Sequence, residues 1–387
     1  GGRISSRRNH CMTPDLLLIS LSLFAWGLGE GMFFLFQPIY LQQLGASTMT
    51  IAGVLSAFGL AMMIVHIPAG YLSDRFGRRP LLWAAWSFGL LATWVMALAR
   101  SLPFFVIGML LYGLTAFVSA PLQSYVTAAR GKLSPARAMT LTSAAFNLGA
   151  VIGPISGGWI GDRFGLRSVY FVAAFIFLIS LGVILFLRAQ PRDGHEKDSP
   201  PASLFSNRRF LGFLTVAFIA MFVMYLPQPF TPKFLENVRG LSLGEIGLVG
   251  SIGSLGNALL NLTLGHFNAW LGFLLAQASV GMFALLIWRG DSTLWYAAAY
   301  FLLGGFRAAR MLIFAQVRPL IHQAQMGLAY GITEAFNALT AILAPLLAGY
   351  LYTHDPAVVY PVSLGLILAA IFISLIFAPR ASVISNQ

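Results

Sequence analysis

Five ionisable side chains stand inside stretches of sequence that are otherwise almost free of charge: Glu30, His66, Arg307, Arg310 and Glu334. An ionised group in the middle of an apolar span costs roughly 2.5–3.5 kcal/mol, so each is a candidate for binding a proton, an ion or a charged ligand. Glu30 lies in Gly27-Leu-Gly-Glu30-Gly31, where small neighbours leave room for a ligand or water. It is about 16 residues into its span, roughly 24 Å along a helix rising 1.5 Å per residue, which places it at or beyond the midplane. A carboxyl there can bind and release a proton as its access changes, or it can hold a structural hydrogen bond or ion pair, and the sequence leaves both readings open. Arg310 and Glu334 lie about 11 residues before and 13 after a turn near Ile321, similar depths in a helical hairpin, so they can pair. Arg307 lies one helical turn from Arg310 on a similar face. It is left over for an anionic group or for Glu30 itself. His66, one turn ahead of the charged stretch that follows it, reads better as a packed, hydrogen-bonded histidine than as a proton carrier. Tyr112, Tyr225, Gln228, Asn257, Asn261 and Asn337 are candidate polar lining.

These residues are positioned by long apolar segments. The chain of 387 residues is 58% hydrophobic and 9% charged, with a mean hydropathy of +0.79. Soluble domains are about one-quarter charged, so this composition predicts an all-α membrane protein. Spans are expected at 15–43, 48–72, 81–99, 102–129, 135–160 and 168–188, then at 209–236, 242–265, 269–288, 292–318, 324–351 and 357–378. The first apolar run is too long for a cleaved signal peptide and reads as a spanning helix. The prolines at Pro227, Pro229 and Pro232 near the end of the seventh span mark either a gate or a bent helix end. A polar break at 189–208, carrying Pro191, Pro200 and Pro201, reads as a flexible linker. The expected organisation is a tail at 1–14, six helices at 15–188, the linker, six helices at 209–378 and a tail at 379–387.

With both termini in the cytoplasm, sixteen Lys and Arg residues fall inside and six outside, which favours that orientation. The net charge of +12 does not indicate a nucleic-acid partner, because the basic residues are scattered among loops between spans. The two sets of helices also echo each other. Thr142-Ser-Ala-Ala-Phe146-Asn147, followed by Pro154 and Gly158, matches Thr333-Glu-Ala-Phe336-Asn337, followed by Pro345 and Gly349. Such repeats are expected where a ligand binds between halves near the midplane. The single cysteine, Cys11, leaves no disulfide framework or Cys-based metal site. There is no Ser/His/Asp set, no His-rich metal spacing and no phosphate-cradling loop. Catalytic residues, metal ligands and cofactors are therefore not expected, and the energy source would be an ion gradient.

The stretch Gly70-Tyr-Leu72-Ser-Asp74-Arg75-Phe-Gly77-Arg78-Arg79-Pro80 reads as a short charged turn between the second and third spans. Gly77 supplies a left-handed backbone cheaply, Asp74 suits the positive end of a helix, and Arg75, Arg78 and Arg79 anchor a cytoplasmic face. The pattern resembles the signature loop between helices 2 and 3 of the major facilitator superfamily of secondary transporters. In the fifth span, Gly149-x-x-x-Gly153-Pro154-x-x-Gly157-Gly158 resembles the helix-5 motif of that family's drug:proton antiporters.

The resemblance implies twelve helices in two six-helix bundles, with helices 1, 4, 7 and 10 lining a central cavity. Asp74 would latch onto the start of helix 11, near 323–327, and Gly153 and Pro154 would sit between the halves. Two departures stand out. Met109 stands where many antiporters carry an arginine four residues before the glycine, here Gly113, which counts against proton antiport; Gly265-His266-Phe267-Asn268 lacks the acid and arginines of the corresponding loop in the second half, which makes the latch mainly a device of the first half. The expected activity is proton-coupled efflux of small amphipathic molecules by a monomer in a prokaryotic plasma membrane, with a small-molecule substrate and the lipid bilayer as partners. The alternative is transport of an organic anion or a sugar-like metabolite.

Overall fold

The computed structural model describes residues 12–190, 206–321 and 326–377, without the side chains of 66–75, 120, 136, 326–328 and 330. Within these the chain is helical, with no strand. Helix α1 (Pro14–Phe33) starts on the Thr13 N-cap, whose hydroxyl accepts from the Leu16 amide. It passes through one 3-10 turn into α2 (Gln37–Gln43). Pro38 causes the break: it has no amide to give to Phe34, and its ring crowds that carbonyl. Helix α3 (Thr48–Phe76) and α4 (Arg78–Leu98) follow. The expected eleven-residue turn therefore contracts to Gly77 alone, at φ +85°, where a side chain would be strained. The side chains of His66, Leu72, Asp74 and Arg75, and those of the expected landing site at 323–327, lie outside what is described, as do residues 323–325 altogether.

The fourth crossing is α5 (Leu102–Leu114) plus α6 (Ser119–Ala128), bent by about 40° where Pro121 interrupts the ladder. Helix α7 (Pro135–Phe164) begins on the Ser134 cap and stays helical through Pro154. Gly165, at φ +82°, separates it from α8 (Leu166–Ile184). After the gap come α9 (Arg208–Tyr225), the short α10 (Thr231–Asn237) and α11 (Leu243–Leu264). The seventh span is thus not continuous over 209–236. The helix stops at Tyr225, ahead of Pro227 and Pro229, and Pro232 occupies the first turn of α10, where its missing amide costs nothing. Helices α12 (Ala269–Arg289), α13 (Thr293–Leu303), α14 (Gly305–Val317), α15 (Met326–His354) and α16 (Val359–Phe377) complete the chain. Eleven of the described helical segments are long and apolar enough to cross a membrane, and the bent α5–α6 pair supplies a twelfth when taken as one span.

The lipid-facing surface is apolar, as at Phe186 (76% exposed) and Phe372 (65%). Inside the first half, polar groups join helices. Ser22 and Ser180 exchange hydroxyl–carbonyl hydrogen bonds of 2.9 and 2.7 Å between α1 and α8, and Trp86 Nε1 of α4 donates to Ser180 Oγ at 2.9 Å. With no water in the bilayer core, these groups find partners on neighbouring helices.

The halves meet through α7 against α11 and α3 against α15. One buried apolar cluster joins the first half to Leu226, Phe230, Phe234, Tyr352 and Tyr360 of the second, all at the end opposite the termini. The core of the second half nearer the termini, around Phe210, Phe213, Leu312 and Ile313, is a separate cluster. Polar bonds across the halves concentrate at the same distal end: Lys233 Nζ to Thr48 Oγ1 (2.9 Å), Asn237 Nδ2 to Gln42 Oε1 (2.8 Å) and Ser56 Oγ to the Ile342 carbonyl (2.6 Å). Burial in this seam lowers the Lys233 pKa and raises that of Glu236, moving both toward their neutral forms.

Candidate substrate cavity

A cavity of about 260 Å³ lies between the halves. From the first half it is lined by Gly27, Glu30, Gly31, Phe34 and Leu35 of the first crossing and by Phe146, Asn147, Ala150 and Pro154 of α7; from the second by Ser254 and Asn257 of α11, Tyr300 and Leu303 of α13 and Arg307 of α14. Its distal limit is tight. A Cβ on Gly247 would lie 2.3 Å from the Pro154 carbonyl, and one on Gly250 would lie 2.3 Å from Leu35 Cδ2. The expected lining by helices 1, 4, 7 and 10 therefore holds for the first and tenth crossings, while α7 and α11, the fifth and eighth, form the remaining walls of this cavity.

Glu30 is held by aromatic donors. Trp26, one turn earlier on α1, gives its indole N–H to Glu30 Oε2 at 3.1 Å, and Tyr112 of α5 gives its hydroxyl to the same oxygen at 2.5 Å. Trp26 stacks on Tyr112 with ring centroids 6.0 Å apart and meets Phe177 edge-on at 4.5 Å. Tyr112 is thus a partner of Glu30, not a wall residue. The glycines around Glu30 serve packing: a Cβ on Gly27 would meet the Phe146 carbonyl at 2.2 Å, and those on Gly31 and Gly29 would approach Pro154 and Phe177. They bring α1 against α7 and α8, and Gly27 and Gly31 line the cavity as well.

Arg307 opens into the same cavity as Glu30. Arg310, one turn nearer the termini, instead places an Nη 2.5 Å from Glu334 Oε2 on α15. Both side chains of this pair stay partly exposed, at 45% and 39%. The other polar candidates scatter. Asn257 lines the cavity, and Asn261, one turn on, is exposed. Tyr225 stacks on Phe306 at 5.6 Å, and Gln228 folds back onto the Met224 carbonyl at 2.8 Å. Asn337 has a buried Nδ2 with no partner among the described residues. Its repeat mate Asn147 faces the cavity.

The α7 glycines divide between two partners. Cβ atoms on Gly149, Gly153 and Gly157 would lie 2.2, 2.6 and 2.0 Å from carbonyl oxygens of Phe24, Leu28 and Met32 on α1. One on Gly158 would lie 2.3 Å from the Leu243 carbonyl of α11. Pro154 and Gly158 therefore lie between the halves, whereas Gly153 packs within the first. Arg78 and Arg79 reach the end of α8, with Nη1 atoms 3.5 Å from Gln190 Oε1 and 3.4 Å from the Leu187 carbonyl.

Several participants escaped the sequence reading. Trp26 was marked only by its four-residue spacing from Glu30. Ser254 and Tyr300 carry no local signal. Asp162, at the end of α7, accepts hydrogen bonds from the Leu243 and Gly244 amides at 2.9 and 2.6 Å. Its signal was a repeated tetrapeptide, Asp-Arg-Phe-Gly at 74–77 and again at 162–165. No group of three or more His, Cys, Asp or Glu side chains able to hold a metal occurs among the described residues.

The family model described as Major Facilitator Superfamily matches residues 19–317. The chain belongs to the major facilitator superfamily. Members of that superfamily are transporters, not enzymes. Multidrug resistance protein 1 of Bacillus subtilis is 23% identical over 378 residues, covering 95% of this chain and 96% of that protein. The class B tetracycline resistance protein of Escherichia coli is 26% identical, covering 78% and 79%. A crystal structure of a mutant of the nucleoside transporter NupG superposes with a TM-score of 0.83 at 15% identity, covering 94% of this chain and all of that one. The chain is thus an integral, multi-pass membrane protein of a transporter family whose similar members include efflux pumps.

Proposed function

We propose that this superfamily member is a secondary active transporter that exports small amphipathic molecules in exchange for protons by alternating access. The observation that carries the reading is Glu30, an acid in the cavity between the halves, with Oε2 held by Trp26 and Tyr112 while Oε1 accepts no hydrogen bond among the described residues. A group so placed can receive a proton from one side and a cationic or polar ligand from the other. The resistance names of the multidrug and tetracycline relatives, and the efflux-pump name of a Streptococcus pneumoniae relative, support the direction and the substrate class. The mixed wall of Phe34, Leu35, Phe146 and Leu303 with Asn147, Ser254 and Asn257 suits an amphipathic molecule.

In this reading residues 15–188 and 209–378 are the rocking bundles, 189–208 tethers them, both termini are cytoplasmic in a prokaryotic plasma membrane, and the monomer is the working unit. The closed distal end is then extracellular, and the conformation corresponds to an inward-facing state. Asp74 and its arginines stabilise the opposite, outward-facing state. Arg307 favours a second reading, in which the substrate is an organic anion or sugar-like metabolite bound against its guanidinium.

The test is proton movement in energised vesicles containing the purified protein. Lipophilic cations should dissipate the pH gradient, and Glu30→Gln should abolish that response. A response confined to anions or sugars and lost in Arg307→Met would replace the first reading with the second.

A further inference from the structure

Helix α11 of the second half needs partners for its first four amides, as every helix does. Two are met by the helix's own capping box: Ser242 N–H donates to Glu245 Oε2 at 2.9 Å, and Glu245 N–H donates to Ser242 Oγ at 3.2 Å. The other two come from the first half, where Asp162 Oδ1 accepts from Leu243 N–H at 2.9 Å and Oδ2 from Gly244 N–H at 2.6 Å. A carboxylate on the positive end of a 22-residue helix combines charge-assisted hydrogen bonds with a favourable dipole interaction.

Glycines permit this approach. A Cβ on Gly158 would lie 2.3 Å from the Leu243 carbonyl, and one on Gly244 would lie 2.7 Å from Asp162 Oδ2. Asp162 lies in the second copy of Asp-Arg-Phe-Gly. Both copies end a long helix on a glycine of the same backbone conformation, with φ and ψ of +85° and 165° at Gly77 and +82° and 156° at Gly165. Gly77 is at the terminus end of the molecule and Gly165 at the distal end, because α3 and α7 each cross the molecule from opposite starts. Other described bonds that join the halves, from Lys233, Asn237, Ser56 and the Ile155 amide, each reach a single side-chain or carbonyl oxygen.

We infer that Asp162 is a distal latch: its cap on α11 holds the halves together at the end opposite the termini, and releasing it is part of opening that end. When the halves part there, the Leu243 and Gly244 amides exchange the carboxylate for water, so the cap biases the equilibrium toward the distally closed state. The inference rests on the alternating-access reading above. It assigns the opposite bias from the one expected for Asp74.

The test uses the full chain in lipid nanodiscs, with Cys11 replaced and spin labels at Gln43 and Val238, which are exposed on either side of the distal seam. Double electron–electron resonance reads the ratio of distally open to closed populations. Asp162→Asn keeps one acceptor oxygen but loses the other and the charge, and should raise that ratio about three- to tenfold, the range for one lost charge-assisted hydrogen bond. Gly244→Ala, whose methyl displaces Oδ2, should move it in the same direction and stands in if Asp162→Asn does not accumulate. A ratio unchanged within about twofold in the readable variant, while the wild type populates both distances, overturns the latch alone. A wild-type distance that neither substrate nor a pH change moves overturns the alternating-access reading and the latch together.

Discussion

Gly157→Ala places one methyl group where α7 crosses α1. Its Cβ would lie 2.0 Å from the Met32 carbonyl oxygen, 2.7 Å from the Met32 carbonyl carbon and 2.8 Å from Met32 Cα. All three are backbone atoms, so no side chain can turn away. Ordinary contact begins near 3.4 Å, and the helices must therefore separate locally by about 1.4 Å. Overpacking of this kind costs about 1–3 kcal/mol, offset by about 0.5–1 kcal/mol from replacing a glycine inside a helix. The net loss of ~1–2 kcal/mol should lower the midpoint of thermal unfolding of a chain this long by roughly 1–3 °C. Function should suffer more than stability. Met32 is two residues from Glu30, and a displacement of that size stretches the 2.5 Å Tyr112–Glu30 hydrogen bond beyond bonding range. The assay is thermal unfolding of the purified protein together with vesicle transport. Gly182→Ala serves as the control, because a Cβ on Gly182 of α8 meets nothing within 4 Å and should leave both readouts unchanged or raise the midpoint slightly. A Gly157→Ala protein that matches the control in both readouts would refute the claim that the glycine seam sets the position of α1.

Two further outcomes follow from buried and exposed polar pairs. Ser180→Ala removes the acceptor of Trp86 Nε1 and the partner of Ser22, and should cost about 1–2 kcal/mol; adding Trp86→Phe should recover part of the loss in thermal unfolding, whereas a Ser180→Ala protein of wild-type midpoint would show that the triad contributes nothing. Arg310→Ala and Glu334→Gln should couple by no more than about 1 kcal/mol in a double-mutant cycle, shrinking with added salt, because the pair is partly exposed. A larger, salt-insensitive coupling would place that pair in the buried machinery of the cavity.

Much of the architecture was legible because a membrane reduces the problem to one variable. In a bilayer every backbone amide must be satisfied within its own segment, so apolar length alone predicts helices, and most expected spans agree with the observed ones within a few residues. The expectations missed where backbone chemistry acts locally. The seventh span overran Tyr225 because apolar composition continues across Pro227 and Pro229, although the helical ladder cannot. The Gly70–Pro80 turn was read as a loop on its charge, yet α3 runs on to Phe76, because polar residues beyond the apolar core do not end a helix; only Gly77 does.

For the cavity, the sequence by itself determined which ionisable groups stand in the spans, Glu30 and Arg307 among them, because burying charge in an apolar segment is costly enough to stand out from one chain. It also showed Gly149, Gly153, Gly157 and Gly158 as small residues at helical spacing, the condition for a close approach of helices. Only the tertiary structure decided what those groups meet. Trp26 and Tyr112 reach Glu30 because α1 and α5 are adjacent, three of the α7 glycines pack inside one half and Gly158 packs against the other, and Asp162 caps a helix that begins 81 residues later in the chain. Periodicity tells a helix which face is apolar. It carries no information about which neighbour covers that face, and that choice is made by the close approach of whole helices, set by backbone-to-backbone contacts many residues apart.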